Sequence, residues 1–468
     1  MTMLQTTLPV AEQATRPLPS RATRVSRTPV SAPASAPSQT GTRIDASHLQ
    51  RYCFTSHDEV LEDLTSVLSA VRTVDRSVVR HHTKGWARDL LISALVSDLK
   101  LWRSPEVTRA LADTLGFLTA DRWSFAFTYR KPRKGDPRQG HLVQPPEQSR
   151  VFMPFSNGLD SFAIAKELRA ASASLELVLV NVRAKDKATK WNNLGRKKTF
   201  DFHTVEVAAY APEPHRAELT FRSRPFLYDL LAGYGAAIAQ PARVVIPENG
   251  QGSLGGSLVP LGAEAPHRSC HPGFTSRLAN LIRLLTKTEV RFDHPALFLT
   301  KGQVLGSLAN RDTAVAHWLA THRSCSYDAR HSSSGKKVMH CGVCGNCVLR
   351  RVSLQSAGVP DSTVYRAKDL SATTFEKSFA AGEPHNVKAN RDLALNSIRS
   401  MQRLADLAIQ PRSMRVAAEV AALARGLNEP FKNVREKMDA FLSQHRKEWE
   451  PFVESCGRKS WVAEFAGN

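Results

Sequence analysis

Short apolar runs alternate with helical stretches from residue 150 onward, and this alternation limits the possible folds more than any other feature of the sequence. Strands are predicted at 151–155, 175–182, 202–207 and 243–246, and helices at 160–171 and 224–240. Strands that alternate with helices predict an α/β fold with a parallel sheet, and such a sheet binds ligands at the carboxyl ends of its strands. Motifs at those ends are therefore the first candidates for a functional site.

The turn after the first of these strands leads directly into a helix and reads Ser156-Asn157-Gly158-Leu159-Asp160-Ser161. Backbone N–H groups and the helix dipole form an anion site at such a position. Ser156 and Ser161 add hydroxyl donors, the glycine lets the backbone approach a phosphate, and Asp160 can cap the helix or meet a magnesium ion. An ordinary strand-to-helix turn uses the same residue types, so both interpretations stay open on the local sequence.

A second glycine motif, Gly250-x-Gly252-x-x-Gly255, follows the strand predicted at 243–246. It matches the dinucleotide-binding fingerprint, but further glycines and a proline follow where that fingerprint requires a helix. We therefore expect a flexible active-site loop at 250–262. The chain contains no G-x-x-x-x-G-K-[ST] motif, so a Walker-type NTPase is unsupported.

Four of the seven cysteines form one cluster in the sequence, namely Cys325, Cys341, Cys344 and Cys347. Four thiolates at this spacing predict a closed tetrahedral zinc site, which is usually structural. An iron–sulfur cluster or a redox dithiol is the alternative. One thiol could be replaced by a nearby histidine, the candidates being His322, His331 and His340.

The charge balance and the N-terminal composition separate a first segment from the rest. The chain has 64 Lys and Arg against 43 Asp and Glu, a net charge of +21, which predicts polyanionic partners. Residues 1–44 contain six prolines and a single acidic residue, so we expect a disordered basic tail. An organelle transit peptide is the alternative for this tail.

The remaining sequence divides into three predicted domains. Residues 45–145 have the pattern of an N-terminal α+β module, with β-rich runs at 89–97 and 122–129. Residues 150–358 form the parallel-sheet domain with the cysteine motif. Residues 359–468 form a helical C-terminal region, because their apolar residues recur at helical spacing.

The turn at 156–161, followed by the cysteine motif HCGVCGNC, resembles the 7-cyano-7-deazaguanine synthase (QueC) family of PP-loop ATP pyrophosphatases. The family's phosphate loop reads S-G-G-x-D-S, and Asn157 departs from its first glycine. The stretches IPENGQGSL, RSCHPGF and FLTKGQVL further resemble the long QueC-like proteins of antiphage operons, such as QatC of the Qat system and the QueC-like component of some CBASS operons. This narrower resemblance includes the N-terminal module.

The resemblance implies ATP-dependent activation of a 7-deazaguanine carboxylate, with Mg²⁺, followed by formation of an amide. Residues 156–161 would bind the ATP phosphates, with Asp160 and Ser161 in catalytic roles. Lys301 is expected to be a cation facing the phosphates or the carboxylate, although it could equally be a solvated loop lysine. Glu248, Asn249 and, more weakly, His271 are expected to bind the substrate. The four cysteines would hold zinc.

The sequence is compatible with several acceptors and functions. The amine could be ammonia, which leads to 7-cyano-7-deazaguanine, or it could belong to a protein encoded in the same operon. A PP-loop enzyme that modifies tRNA would suit the charge of +21 and the basic run at 183–198. A non-catalytic zinc-dependent interaction module is the third class. We expect no membrane segment, a cytoplasmic location and a homo- or hetero-oligomer.

Overall fold

Parallel strands form two sheets in the described part of the chain. The computed structural model describes residues 43–53, 58–81, 85–132, 149–156, 158–184, 203–262, 264–311, 317–319, 324–326, 339–380, 387–410 and 412–467. The strands are β1 Asp89–Val96, β2 Arg122–Tyr129, β3 Arg150–Pro154, β4 Glu176–Arg183, β5 Thr204–Tyr210, β6 Ala242–Val245 and β7 Phe292–Asp293.

The helices of the described residues connect these strands and continue beyond them. They are α1 Ser47–Tyr52, α2 Glu59–Ser77, α3 Leu99–Trp102, α4 Pro105–Thr119, α5 Leu159–Ala171, α6 Arg224–Ile238, α7 Gly250–Leu258, α8 Pro272–Thr286, α9 Lys301–Ala309, α10 Gly345–Ser356, α11 Val387–Asp406, α12 Met414–Leu427, α13 Phe431–Cys456 and α14 Trp461–Ala466.

The central sheet has the order β5-β4-β3-β6-β7, and all of its pairs are parallel. Every residue of β3 is buried, as expected for a strand covered on both faces. The chain runs outward from β3 to β5 and then returns to place β6 on the other side of β3. This reversal creates a topological switch point between β3 and β6, where parallel sheets bind ligands. The α/β prediction is confirmed.

The N-terminal segment adds a second parallel pair, in which Asp89 of β1 lies opposite Arg122 of β2. Both strands agree with the prediction from short, β-rich runs bounded by polar residues. Buried side chains of α2, α4 and this pair belong to the same hydrophobic cluster as one face of the central sheet, with Leu64, Leu111 and Phe152 among its fully buried members. The domain boundary predicted near residue 145 stays a prediction.

The flexible loop predicted after β6 is wrong, because Gly250–Leu258 forms helix α7. Asn249 caps this helix by accepting a hydrogen bond from the Gly252 N–H at 3.1 Å. A Cβ atom at Gly250 would lie 2.4 Å from the ring of Phe441, and one at Gly252 would lie 2.2 Å from Glu248 Oε1. The glycines therefore permit close packing around a buried helix, which offsets their low helix propensity.

The C-terminal region is helical as predicted, but it begins with an irregular stretch over residues 359–374 and a 3₁₀ turn, Phe375–Ser378. Helices α11, α13 and α14 pack with the cysteine segment in one hydrophobic cluster. Helices α12 and α13 pack with α7 in another. The C-terminal helices therefore contact elements on the ligand-binding edge of the central sheet.

Two predicted features lie mainly outside the described residues. The N-terminal tail is described only for its last residues, 43 and 44, and the basic run at 183–198 only for residues 183 and 184. Arg183 lies 3.8 Å from Glu206 in an ion pair. Among the helices that are described, none has the length and apolar character needed to cross a membrane.

Candidate active site and metal centre

Four of the predicted site residues converge at the carboxyl ends of three neighbouring strands. Asp160 lies in the first turn of α5, after β3, whereas Glu248 and Asn249 follow β6. Lys301 is the first residue of α9, which follows β7. We call Asp160, Glu248, Asn249 and Lys301 the Asp160 cluster. It lies at the switch point between β3 and β6, where the topology predicts a ligand site.

Asp160 is held from two sides. Asn249 donates a hydrogen bond through Nδ2 to Asp160 Oδ1 at 2.8 Å, and Lys301 Nζ lies 2.8 Å from Asp160 Oδ2. Asn249 Nδ2 also donates to Glu248 Oε1 at 2.8 Å. The amide of Asn249 thus uses both of its N–H bonds within the cluster. One carboxylate oxygen of Asp160 faces a buried cation and the other faces an amide, which fixes its orientation before any ligand binds.

The turn before α5 places two hydroxyl groups and a glycine at the N-terminus of the helix. Gly158 is the N-cap residue of α5, and its N–H donates to Ser156 Oγ at 3.3 Å. Ser161 Oγ donates to the Gly158 carbonyl at 3.1 Å and lies 3.4 Å from Ser156 Oγ. Leu159 is buried, so its side chain belongs to the core and only its backbone can serve a ligand. Asn157 lies outside the described residues.

The Asp160 cluster holds two carboxyl groups but a single ammonium group. Burial, together with the charge of Asp160, raises the pKa of Glu248 to about 8, while Lys301 acts in the opposite direction. Lys301 is only 3% exposed. Two carboxyl groups therefore share one buried ammonium group. A phosphate at the start of α5 would be attracted to Lys301 and to the backbone N–H groups, and a divalent cation would compensate the second carboxylate.

Residues outside the predicted set form hydrogen bonds with the cluster or with the helix ends that carry it. Gln251 Oε1 accepts a hydrogen bond from the Lys301 N–H at 2.8 Å, and Gln251 Nε2 lies 3.4 Å from His445 Nδ1. Thr300 caps α9 and donates through Oγ1 to Glu448. His445 and Glu448 are on α13, where His445 is 194 residues from Gln251 and Glu448 is 148 residues from Thr300. No local motif in the sequence marks either of them.

His271 does not join the other predicted residues. It caps α8 by accepting a hydrogen bond from the Gly273 N–H at Nδ1, at 2.8 Å, and its Nε2 lies 2.9 Å from Glu419 Oε1. The side chain is fully buried. Both ring nitrogens are therefore engaged in contacts that connect α8 to α12. Its assignment to substrate binding stays a prediction.

The four predicted metal ligands do come together. The sulfur atoms of Cys325, Cys341, Cys344 and Cys347 all lie within 4.8 Å of one another. Cys325 and Cys344 are separated by 4.0 Å and Cys341 and Cys347 by 3.8 Å, measured between sulfur atoms. A tetrahedral site with Zn–S bonds of about 2.3 Å requires S–S distances of about 3.8 Å. The geometry therefore fits a four-coordinate zinc ion.

The local fold explains why the sulfurs converge. Gly342 has a φ of +85°, and a Cβ atom there would lie 2.5 Å from the Ala367 carbonyl oxygen, so the turn requires glycine. The Cys344 N–H lies 3.3 Å from Cys341 Sγ, and the Cys341 N–H lies 3.5 Å from Cys325 Sγ. Such N–H groups stabilise thiolates.

The thiols also perturb one another in a way that favours a cation. The hydrogen bond between Cys325 and Cys344, the largest of several effects, lowers the pKa of Cys344, whereas the contact between Cys325 and Cys347 is the largest effect that raises the pKa of Cys347. The cluster therefore cannot carry four negative charges unless a metal ion compensates them. His340 instead packs edge-on against Tyr365. His322 and His331 lie outside the described residues.

Comparison with known proteins points in the same direction. The chain is 31% identical over 104 residues to the 7-cyano-7-deazaguanine synthase of Porphyromonas gingivalis, a match that covers 22% of this chain and 42% of that protein. It is 24% identical over 170 residues to the synthase of Paracoccus denitrificans, covering 35% and 63%. It is 33% identical over 124 residues to that of Cupriavidus taiwanensis, covering 25% and 50%. The chain resembles 7-cyano-7-deazaguanine synthases.

The resemblance is partial in length. The chain spans about half the length of the curated relatives it matches, and most of its own residues lie outside the aligned stretches. The chain matches no model of a known protein family. The relatives therefore support a QueC-like character.

Proposed function

We propose that this chain is an ATP-dependent enzyme that joins the carboxylate of a 7-deazaguanine to an amine. The observation that carries the proposal is the Asp160 cluster, in which Lys301 Nζ lies 2.8 Å from Asp160 Oδ2 beside the start of α5. The resemblance to 7-cyano-7-deazaguanine synthases supplies the substrate class. The cluster of four cysteines agrees with the same resemblance.

The proposed chemistry has two steps. A carboxylate oxygen of the substrate attacks the α-phosphorus of ATP, the bond to the β-phosphate oxygen breaks, and pyrophosphate leaves. The amine nitrogen then attacks the acyl carbon, the bond to AMP breaks, and the nitrogen gives up a proton to the solvent. Activation is needed because a carboxylate cannot expel oxide, whereas an acyl-adenylate expels AMP.

The residues of the site have separate roles in this scheme. The N–H groups at the start of α5, with the hydroxyl groups of Ser156 and Ser161, would bind the departing pyrophosphate. Lys301 would neutralise charge that develops on the bridging oxygen. Asp160, oriented by Asn249, would bind the magnesium ion that accompanies ATP. Zinc held by the four cysteines would supply structural stability only, because four thiolate ligands leave no open position.

We further propose that the amine belongs to another protein and that the reaction serves antiphage defence. Two features support a macromolecular acceptor: the chain has long segments before residue 150 and after residue 358, and its net charge is +21. Such segments can dock a large acceptor and exclude water, which would otherwise hydrolyse the acyl-adenylate. The sequence resemblance to the long QueC-like proteins of antiphage operons supports the defence role.

Pyrophosphate release by the purified full chain tests the proposed ATP-dependent activation of the carboxylate. We expect release from ATP that depends on 7-carboxy-7-deazaguanine and falls at least about 100-fold in Asp160→Asn and Ser161→Ala. Asp113→Asn and Ser174→Ala, at exposed positions, are the matched controls and should keep full activity. Full turnover by both site variants would refute the assignment. Release that depends on tRNA instead would indicate an RNA-modifying enzyme, and no release would indicate a non-catalytic module.

Intact-mass spectrometry tests the acceptor. Proteins encoded beside this chain are incubated with it, ATP and 7-carboxy-7-deazaguanine, and the small-molecule products are collected from the same reaction. A mass increase equal to the deazaguanine acyl group on one protein supports the proposal. Free amide or nitrile as the sole product would show that the acceptor is ammonia.

A further inference from the structure

A cavity of about 240 Å³ lies at the carboxyl ends of β4 and β5. Its walls come from these two strand ends, from the start of α6 and from α2 of the N-terminal segment. The charged and aromatic side chains that line it are Arg72, Arg183, Glu213, Phe221, Arg224 and Tyr228. Three arginines against one glutamate give the cavity a net positive charge. We call it the arginine pocket.

The arginine pocket is separate from the Asp160 cluster. Helices α5 and α6 cover opposite faces of the central sheet, because Leu159 of α5 packs in one hydrophobic cluster with Met153, and Leu230 of α6 packs in another with Phe152. The pocket is lined by α6, whereas the Asp160 cluster includes the first turn of α5. Neighbouring strands lie about 4.8 Å apart, so the ends of β4 and β5 are about 10 Å along the sheet edge from the switch point between β3 and β6.

Arg72 is a fixed cation in the wall of the pocket. It is 6% exposed, and its Nη1 atom donates to the carbonyls of Ala211 and Pro212, both at 2.7 Å. Its Nη2 atom donates to Glu213 at 2.8 Å. Burial, the largest effect, lowers the pKa of Arg72; Glu213 opposes this shift, and the charge of Arg224 adds to it. The guanidinium group is thus held in place beside other positive charge, which an anion would compensate.

The aromatic rings of the pocket lie close to guanidinium groups. Arg72 Cζ lies 5.6 Å from the ring centre of Phe221, and Arg76 Cζ lies 4.9 Å from the same centre. Arg224 Cζ lies 5.3 Å from the ring centre of Tyr228, and its Nη2 atom donates to the Tyr228 hydroxyl at 3.4 Å. Aromatic rings and guanidinium planes are the surfaces on which nucleobases stack in proteins. The pocket therefore combines cations for a phosphate with surfaces for a base.

We infer that the arginine pocket binds one nucleotide of a single-stranded nucleic acid, a ligand that the proposed function does not use. Guanidinium groups match phosphate oxygens with paired hydrogen bonds. A volume of about 240 Å³ corresponds to about eight water molecules at about 30 Å³ each, so the pocket has room for more than a phosphate ion. The bases of a duplex are stacked inside it, so a base enters a concave pocket only from a single strand.

The charge of the chain favours a strand over a free nucleotide. Seven Lys and Arg residues occur in the sequence from 183 to 198, and the first of them, Arg183, lines the pocket. The net charge of +21 has the same sign. Such an excess of positive charge favours a ligand with repeated phosphates, because each contact releases counterions.

An acidic segment of a protein is the competing ligand, because carboxylates also pair with guanidinium groups. Glu213 already supplies a carboxylate to Arg72. The rings of Phe221 and Tyr228 offer an acidic side chain no further cation, whereas they offer a nucleobase a planar contact. The observations therefore favour the nucleic acid.

Fluorescence anisotropy with the full chain and a labelled oligouridylate of about 12 nucleotides tests the inference. Arg224→Met removes an exposed guanidinium group and should weaken binding at least about 10-fold, as expected for the loss of one charge-assisted hydrogen bond. It should also reduce the dependence of log affinity on log salt by about 0.7, the value for one phosphate contact on a single strand. Arg291→Met, at the opposite end of the sheet, removes the same charge from a side chain that is 71% exposed and should change neither quantity.

Competition at constant ionic strength identifies the ligand. Neither ATP with Mg²⁺ nor a hexaglutamate peptide should displace the oligouridylate, and uridine monophosphate should bind more weakly than the strand. Arg224→Met should retain pyrophosphate release from ATP and 7-carboxy-7-deazaguanine, because the pocket lies outside the Asp160 cluster.

Several results would overturn the inference. Equal affinities of the wild type and Arg224→Met, or an equal loss in Arg291→Met, would show that the oligouridylate does not occupy the pocket. Displacement by ATP, or loss of pyrophosphate release in Arg224→Met, would assign the pocket to the activation step. Displacement by hexaglutamate would indicate an acidic protein, and tighter binding of uridine monophosphate would indicate a free nucleotide. Failure of the proposed function is a different result, namely that the wild type binds the oligouridylate but releases no pyrophosphate.

Discussion

Replacement of Lys301 by methionine tests the electrostatic design of the Asp160 cluster. Methionine has nearly the length of lysine and keeps the apolar contacts of the buried stem, but it removes the ammonium group. The side chain of Lys301 is 4% exposed and that of Asp160 is 25% exposed, with 2.8 Å between Nζ and Oδ2. The variant leaves the carboxyl groups of Asp160 and Glu248 without their cation.

The distance and burial of the Lys301–Asp160 pair determine how much stability and activity Lys301→Met should lose. At 2.8 Å, two unit charges attract by about 6 kcal/mol for an effective dielectric constant of about 20. Desolvation of the ammonium group offsets much of this, and water reaches the partly exposed Asp160. We therefore expect Lys301→Met to lower the free energy of unfolding by about 2 kcal/mol, and the rate of pyrophosphate release to fall at least about 100-fold.

A double-mutant cycle with Asp160→Asn isolates the pair. The asparagine keeps an oxygen that can accept the hydrogen bond from Asn249, so the double variant should recover about 1–2 kcal/mol of stability while remaining inactive. Lys437→Met, which breaks an exposed pair with Glu429, is the control and should change stability by less than about 0.5 kcal/mol. Denaturant unfolding and pyrophosphate release are the assays. A coupling energy near zero, or an active Lys301→Met, would refute the electrostatic reasoning.

Three further predictions concern the surroundings of the site. The purified chain should hold close to one zinc ion, and Cys344→Ser should lower both the zinc content and the Tm. Cys456→Ser changes an isolated buried thiol and should leave the zinc content unchanged. Iron, or no metal, in active protein would contradict this prediction. Burial lowers the pKa of His445 to about 4, so the folded state takes up its proton later than the unfolded state, and stability should fall between about pH 6.5 and pH 4 by up to about 1.4 kcal/mol per pH unit. His445→Gln should flatten that decline, and parallel stability curves would contradict the assignment. Gly252→Ala should abolish pyrophosphate release, because its Cβ would lie 2.2 Å from the neighbouring glutamate oxygen, whereas Gly255→Ala, with its nearest atom at 3.9 Å, should remain active.

The parts of the fold that the sequence predicts are those with local signals. Apolar runs with strand length, separated by helical periodicity, predict the order of β3, β4, β5 and β6 because each element shows its own burial pattern. The cysteine spacing likewise predicts the cluster of four thiols, because three of its members lie in one tight turn. Even the meeting of Asp160 with Asn249 follows from a general property of parallel sheets, whose carboxyl ends share one edge.

The parts that the sequence does not predict depend on partners remote in the chain. Helix α7 was expected to be a loop, because four of its nine residues are glycine and glycine disfavours an isolated helix by about 1 kcal/mol each. The compensating contact comes from Phe441, almost 200 residues away in the sequence. His445 and Glu448 cannot be predicted for the same reason, because their contacts form only when α13 packs against α7 and α9.

These long-range contacts change the interpretation of the C-terminal region. His445 connects Gln251 to the Met401 carbonyl, and Glu448 accepts a hydrogen bond from Thr300, which caps the helix that begins with Lys301. Helix α13 therefore positions the first turns of α7 and α9, and through them the Asp160 cluster. The C-terminal helices therefore contribute to the geometry of the Asp160 cluster. The docking of the proposed acceptor is therefore better assigned to the N-terminal segment, whose buried residues pack in the hydrophobic cluster on one face of the sheet and make none of these contacts.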